Sequence, residues 1–130
     1  NVYARHHRLA EGVRRAVFAW GMTPYAASAD LYSDTVTAVK VPEGCDGTAL
    51  VQLAASKYGM AFGVGLGEVA GKVFRIGHLG MLTDAMVLSG LAVAEMCMAD
   101  LGWPVKLGSG VAAAQDYYRG TVPAMALAAE

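Results

Sequence analysis

The sequence predicts an α+β domain: a small antiparallel or mixed sheet covered by helices on one face. Three observations lead there. Apolar spacing switches between a helical period near four and a strand period of two. The resulting order is helix, two strands, helix, two strands, two helices, all short. The 130 residues are 55% hydrophobic and 16% charged, more apolar than an average soluble domain. Such a balance suits a surface partly covered by another domain or subunit.

In the first helix Leu9, Val13 and Val17 recur every four residues, with Ala16 and Trp20 in the same stripe, and Gly21 is placed to end it. Its first turns carry Arg5, His6, His7 and Arg8, where the helix dipole disfavours positive charge. The expectation is a helix that begins upstream of residue 1, and a chain that is a fragment. His6 and His7 point about 100° apart on a helix, so they do not share a metal, and both are expected to be solvated.

"MTPYAASAD" is an irregular or edge strand, since Pro24 confines it to an edge. Residues 35–40 alternate and are rich in β-branched side chains, and Pro42 stops them. Asp46 is the expected N-cap of a second helix with Leu50, Ala54 and Tyr58 on one face, closed by Gly59. "MAFGVGLG" is a short strand entering a glycine-rich loop, and "KVFRIGHL" is the next strand. Thr83 and Asp84 cap a long helix to about Leu101. Its apolar positions Met86, Leu88, Leu91, Val93, Met96 and Leu101 nearly encircle it, so contact on more than one side is expected. A last helix covers "GVAAAQDYYRG". The tail "TVPAMALAAE" is expected to be frayed or docked on a partner. One domain accounts for residues 1–130.

A net charge of −1 gives no electrostatic basis for nucleic acid. Asp84, Glu95 and Asp100 interrupt the apolar stretches, leaving no clean membrane span of about 20 residues. Cys45 and Cys97 lack CxxC partners, so neither a disulfide framework nor a zinc site is indicated, and reduced thiols in a cytoplasmic protein are expected. Gly65, Gly67 and Ala70 fit a dinucleotide fingerprint in spacing only, because a strand follows them where that motif needs a helix. A close backbone approach between strands suits these glycines better.

Arg75 stands out, a guanidinium in an apolar strand with glycines at 71, 77 and 80. One reading is a structural ion pair to Glu68 or Asp84. The other is an anion clamp, since a planar fork on a rigid strand matches a carboxylate and the glycines admit a ligand. Gly77 and His78 are possible site neighbours of Arg75. No metal site is expected.

"GKVFRIGHLG", "YSDTVTAVKVPEG" and "ARHHRLAEGVRRAV" together resemble the C-terminal small domain of class V (fold type I) pyridoxal phosphate-dependent aminotransferases, closest to the serine–glyoxylate type. The resemblance runs from about Val2 to Tyr118. It implies transfer of an amino group from L-serine to glyoxylate, giving hydroxypyruvate and glycine, or an alanine–glyoxylate or related reaction. It implies a homodimeric parent with amino acid and 2-oxo acid substrates, and it makes Arg75 the residue that binds the substrate carboxylate. It further implies that the pyridoxal phosphate and its Schiff-base lysine belong to a large domain expected outside this chain. Lys40, Lys57, Lys72 and Lys106 do not sit in such a motif, so this chain alone is expected to bind no cofactor and to be inactive. Two rivals stand beside this: a free-standing module whose Arg75 binds an effector acid, and a dimerisation domain whose Arg75 is ion-paired internally.

Overall fold

A computed structural model gives the fold and describes residues 2–26, 28–78 and 80–121. Eight elements appear in the expected order. They are α1 (Val2–Ala19), β1 (Thr23–Pro24), β2 (Val36–Lys40), α2 (Gly47–Tyr58), β3 (Gly63–Val64), β4 (Val73–Gly77), α3 (Asp84–Asp100) and α4 (Ser109–Thr121). Two single turns of 3₁₀ helix, Ala29–Leu31 and Gly67–Val69, add to these. The tail after Thr121 lies outside the described residues.

The sheet is antiparallel throughout, in the order β1-β2-β4-β3. Because β2 and β3 both oppose β4, they run parallel to each other, joined through α2 with β4 inserted between them. Pro24 lies on the outer strand, where its missing N–H leaves no ladder bond unmade. Thr37 and Val39 of β2 and Phe74 and Ile76 of β4 are buried under the helices. Val36, Ala38, Lys40, Arg75 and Gly77 alternate with them and project from the other face.

Local signals place the helices. Asp46 accepts the Thr48 N–H at 2.9 Å, Gly59 closes α2 with φ 67°, and Thr83 accepts the Met86 N–H at 3.2 Å. The α1 stripe Leu9, Val13, Ala16 and Val17 is buried in one core with Leu50, Phe74, Leu91 and Met98. α3 meets its expectation of contact on more than one side, packing against α1, α2 and α4. It buries Val87, Leu91, Ala94, Cys97 and Met98 and leaves Met86 51% and Met96 37% exposed. One expectation needs correction. His6 is buried rather than solvated: its Nδ1 lies 2.8 Å from the Val2 carbonyl and its Nε2 accepts the Gly80 N–H.

The basic start of α1 is a tie between elements. Arg8 donates to both carboxylate oxygens of Asp84 at 2.6 and 2.9 Å, to the Tyr118 carbonyl, and to the Thr121 hydroxyl. One guanidinium thus joins α1, the start of α3 and the end of α4. Arg14 is 3% exposed and donates to Glu11 and to Asp34. Glu95 is 2% exposed; its Oε2 accepts the Trp20 indole N–H at 3.0 Å and the Gly110 N–H at 2.8 Å. The second bond satisfies a first-turn donor of α4 with a negative charge, where the helix dipole favours one.

Candidate functional site

Arg75 occupies the centre of β4, opposite Ala38 on one side and Gly63 on the other. It lies on the face away from the helices and is half-buried. Its Nε–H donates to the Val64 carbonyl at 3.0 Å. Among the described residues no carboxylate forms an ion pair with it, and neither Nη1 nor Nη2 has a hydrogen-bond acceptor. Asp84, one partner suggested by the sequence, is held by Arg8 instead. Glu68, the other, stands exposed in the turn Gly67–Val69. A guanidinium fixed at Nε with both Nη groups open can take an anion, and a planar carboxylate fits its fork.

Gly77 follows two residues along the same face, exposed, with no atom within 4 Å of where a Cβ would stand. A ligand can therefore approach the sheet closely beside Arg75. His78 is placed differently. It is fully buried, with Nδ1 2.9 Å from the Asp34 carbonyl and Nε2 2.8 Å from the Thr37 hydroxyl. A carbonyl only accepts, so Nδ1 carries the proton and Nε2 accepts from Thr37. Burial pushes the imidazole's pKa below its ordinary value, favouring the neutral ring. Both nitrogens are occupied in pinning residues 34–37 to the end of β4.

The glycine-rich stretch serves packing. A Cβ on Gly65 would press into the Val69 carbonyl and the Val73 side chain, and Gly67 has φ +59°. A 3₁₀ turn and then β4 follow it, so no α-helix N-terminus is offered to a pyrophosphate. An apolar hollow of about 240 Å³ lined by Tyr25, Tyr32, Val36 and Ala38 runs beside β1 and β2. Another of about 320 Å³, lined by Phe62, Ile76, Gly77 and Met86, lies at the end of β4.

Lys40, Lys57, Lys72 and Lys106 are all exposed, and Lys57 is paired with Asp100 at 2.8 Å. Among the described residues no three His, Cys, Asp or Glu side chains are grouped to hold a metal, and no helix is long and apolar enough to cross a membrane. Cys45 and Cys97 are free thiols, the second buried. The sequence singled out Arg75 but not Gly63 or the Val64 carbonyl, which contact it. Only the β3–β4 register brings these together, and the lone hint was the glycine at 63.

No family model matches the chain. It is 65% identical over 124 residues to L-aspartate–glyoxylate aminotransferase of Paracoccus denitrificans, covering 95% of this chain and 31% of that protein. It is 54% identical over 118 residues to serine–glyoxylate aminotransferase of Hyphomicrobium methylovorum, covering 91% and 29%. Among solved structures, pyridoxamine–pyruvate aminotransferase from Mesorhizobium loti superposes with a TM-score of 0.84 at 37% identity, covering 92% of this chain and 31% of that one. The chain therefore spans about a third of the length of the relatives it matches.

Proposed function

Because the chain corresponds to the C-terminal part of the class V aminotransferases, we propose that it is the small domain of a pyridoxal phosphate-dependent, glyoxylate-using aminotransferase in which Arg75 binds the substrate α-carboxylate. The observation that carries this is the state of Arg75: anchored at Nε, open at both Nη groups, and without a carboxylate partner among the described residues. Among the described residues the rival role, an internal ion pair, has neither Glu68 nor Asp84 as its partner.

Pyridoxal phosphate supplies the electron sink for amino-group transfer when bound. The residues of this chain do not fit as its holder, since all four lysines are exposed and no helix follows the glycine-rich stretch to cradle a phosphate. In this reading the cofactor site belongs to polypeptide outside the chain, and the parent is a cytoplasmic homodimer. What this chain contributes is orientation: a carboxylate held by a fork on a strand cannot rotate, and a substrate that cannot rotate presents its amino group in one direction.

The acceptor is glyoxylate. For the donor, the sequence motifs favour L-serine, while the relative at 65% identity carries the name of an aspartate enzyme. Arg75 reads the α-carboxylate that both donors share, so discrimination between them lies with other groups. The test is steady-state transamination by the full-length protein with L-serine and L-aspartate as donors, wild type beside Arg75→Ala. Losing a charged hydrogen-bonded partner costs about 2–5 kcal/mol, or about thirty- to several-thousand-fold in kcat/KM. That loss is expected for the accepted donor, with the thermal midpoint kept. An unchanged rate would remove Arg75 from the site.

A further inference from the structure

Arg75 lies against β3. Gly63 stands opposite Arg75 in the β3–β4 register, and a Cβ built there would lie 3.0 Å from Arg75 Nε and 3.2 Å from its Cβ and Cζ. These contacts run along the side chain from root to head, so the arginine lies across the face of the glycine. Gly63 does not have a positive φ; its backbone is one that any residue adopts, and what the position requires is the space. The next residue, Val64, accepts the Nε–H through its carbonyl. A carboxylate can meet a guanidinium side-on, through Nε and one Nη, or end-on, through Nη1 and Nη2. With Nε already bonded, the end-on fork is what this arginine offers.

We infer that Gly63 and the Val64 carbonyl are positioning groups for Arg75, holding its guanidinium across β3 so that a substrate carboxylate is received end-on by Nη1 and Nη2. The inference rests on the reading of Arg75 as the carboxylate clamp. An alanine at 63 requires the arginine to give way by a few tenths of an ångström along its length, which strains the Nε–Val64 bond and shifts the fork from the place where a carboxylate is expected.

The experiment is a double-mutant cycle on the full-length enzyme: Gly63→Ala, Arg75→Ala and the combination, with KM and kcat measured separately for the amino acid donor and glyoxylate. Gly63→Ala is expected to raise KM for both by about tenfold or more with kcat less affected, as displacement of a binding group does. In the Arg75→Ala background the same change is expected to cost nothing further, because the side chain it strikes is gone. Should Gly63→Ala leave KM unchanged while Arg75→Ala abolishes substrate use, the clamp stands and the positioning role is wrong. Equal penalties with and without Arg75 would likewise overturn it, since Gly63 would then act on the fold alone. Loss of the clamp reading itself shows as an Arg75→Ala enzyme with wild-type kinetics, and the inference falls with it. If Gly63→Ala does not fold, the combination must fold as well as Arg75→Ala alone, or the clash is not with Arg75.

Discussion

His78 and Arg75 are three residues apart and have opposite environments. Arg75 sits half-buried on the face away from the helices with an open fork; His78 is fully buried with both ring nitrogens bonded. Titration distinguishes a buried neutral imidazole from a solvated one. Desolvation lowers the His78 pKa below 6.5, with a smaller opposing push from its bond to the Asp34 carbonyl and a further lowering by nearby Arg14. The unfolded chain then takes up this proton first as pH falls. His78 therefore contributes full stability above about pH 6.5, loses it as pH drops towards the folded value, and levels off below that. Urea midpoints at pH 7.5 and 5.5 should differ more for wild type than for His78→Gln, whose amide can donate to Asp34 and accept from Thr37. Every other group is common to the two proteins and cancels in that comparison. An identical slope in the two would mean that His78 is not held neutral.

At the scale of elements, the helices were legible in the sequence wherever a signal is local. Asp46, Gly59 and Thr83 each act on a backbone group a few residues away, and each was found at its cap. What the sequence hid is long-range. The carboxylate of Asp84 was open to Arg75 in sequence, but docking of α1 on α3 and α4 gives it to Arg8. Gly63 acquires a meaning only once β3 pairs with β4. Glu95 is the clearest case, an acid in an apolar helix with no sequence partner, which spans from Trp20 to the start of α4. Replacing it with alanine strands two buried donors, and each unmet donor costs about 1–3 kcal/mol. Glu95→Ala is therefore expected to lose about 2–6 kcal/mol in urea unfolding followed by Trp fluorescence. Glu95→Gln keeps an acceptor oxygen and should lose less than half of that. Equal losses would show that the charge, not the acceptor, holds α4 in place.

The whole molecule has its helices on one side of a four-stranded sheet and its candidate ligand group on the other. That division separates two tasks. The core under the helices fixes β4 through Phe74 and Ile76, and the fixed strand holds Arg75 out from the opposite face. Binding a carboxylate, however, is only half of amino-group transfer, which also needs an electron sink and an amine that shuttles a proton. An amine suited to that work is desolvated or set beside another cation, so that its pKa falls. Here Lys40, Lys72 and Lys106 are exposed, while Lys57 is raised above its usual pKa by its bond to Asp100. The residues 1–130, expressed alone with pyridoxal phosphate, an amino acid donor and glyoxylate, are therefore expected to give no turnover, and borohydride should trap no single lysine preferentially. Turnover by this chain, or one lysine selectively labelled, would mean that its own residues complete the chemistry and that the division of labour argued from Arg75 is wrong.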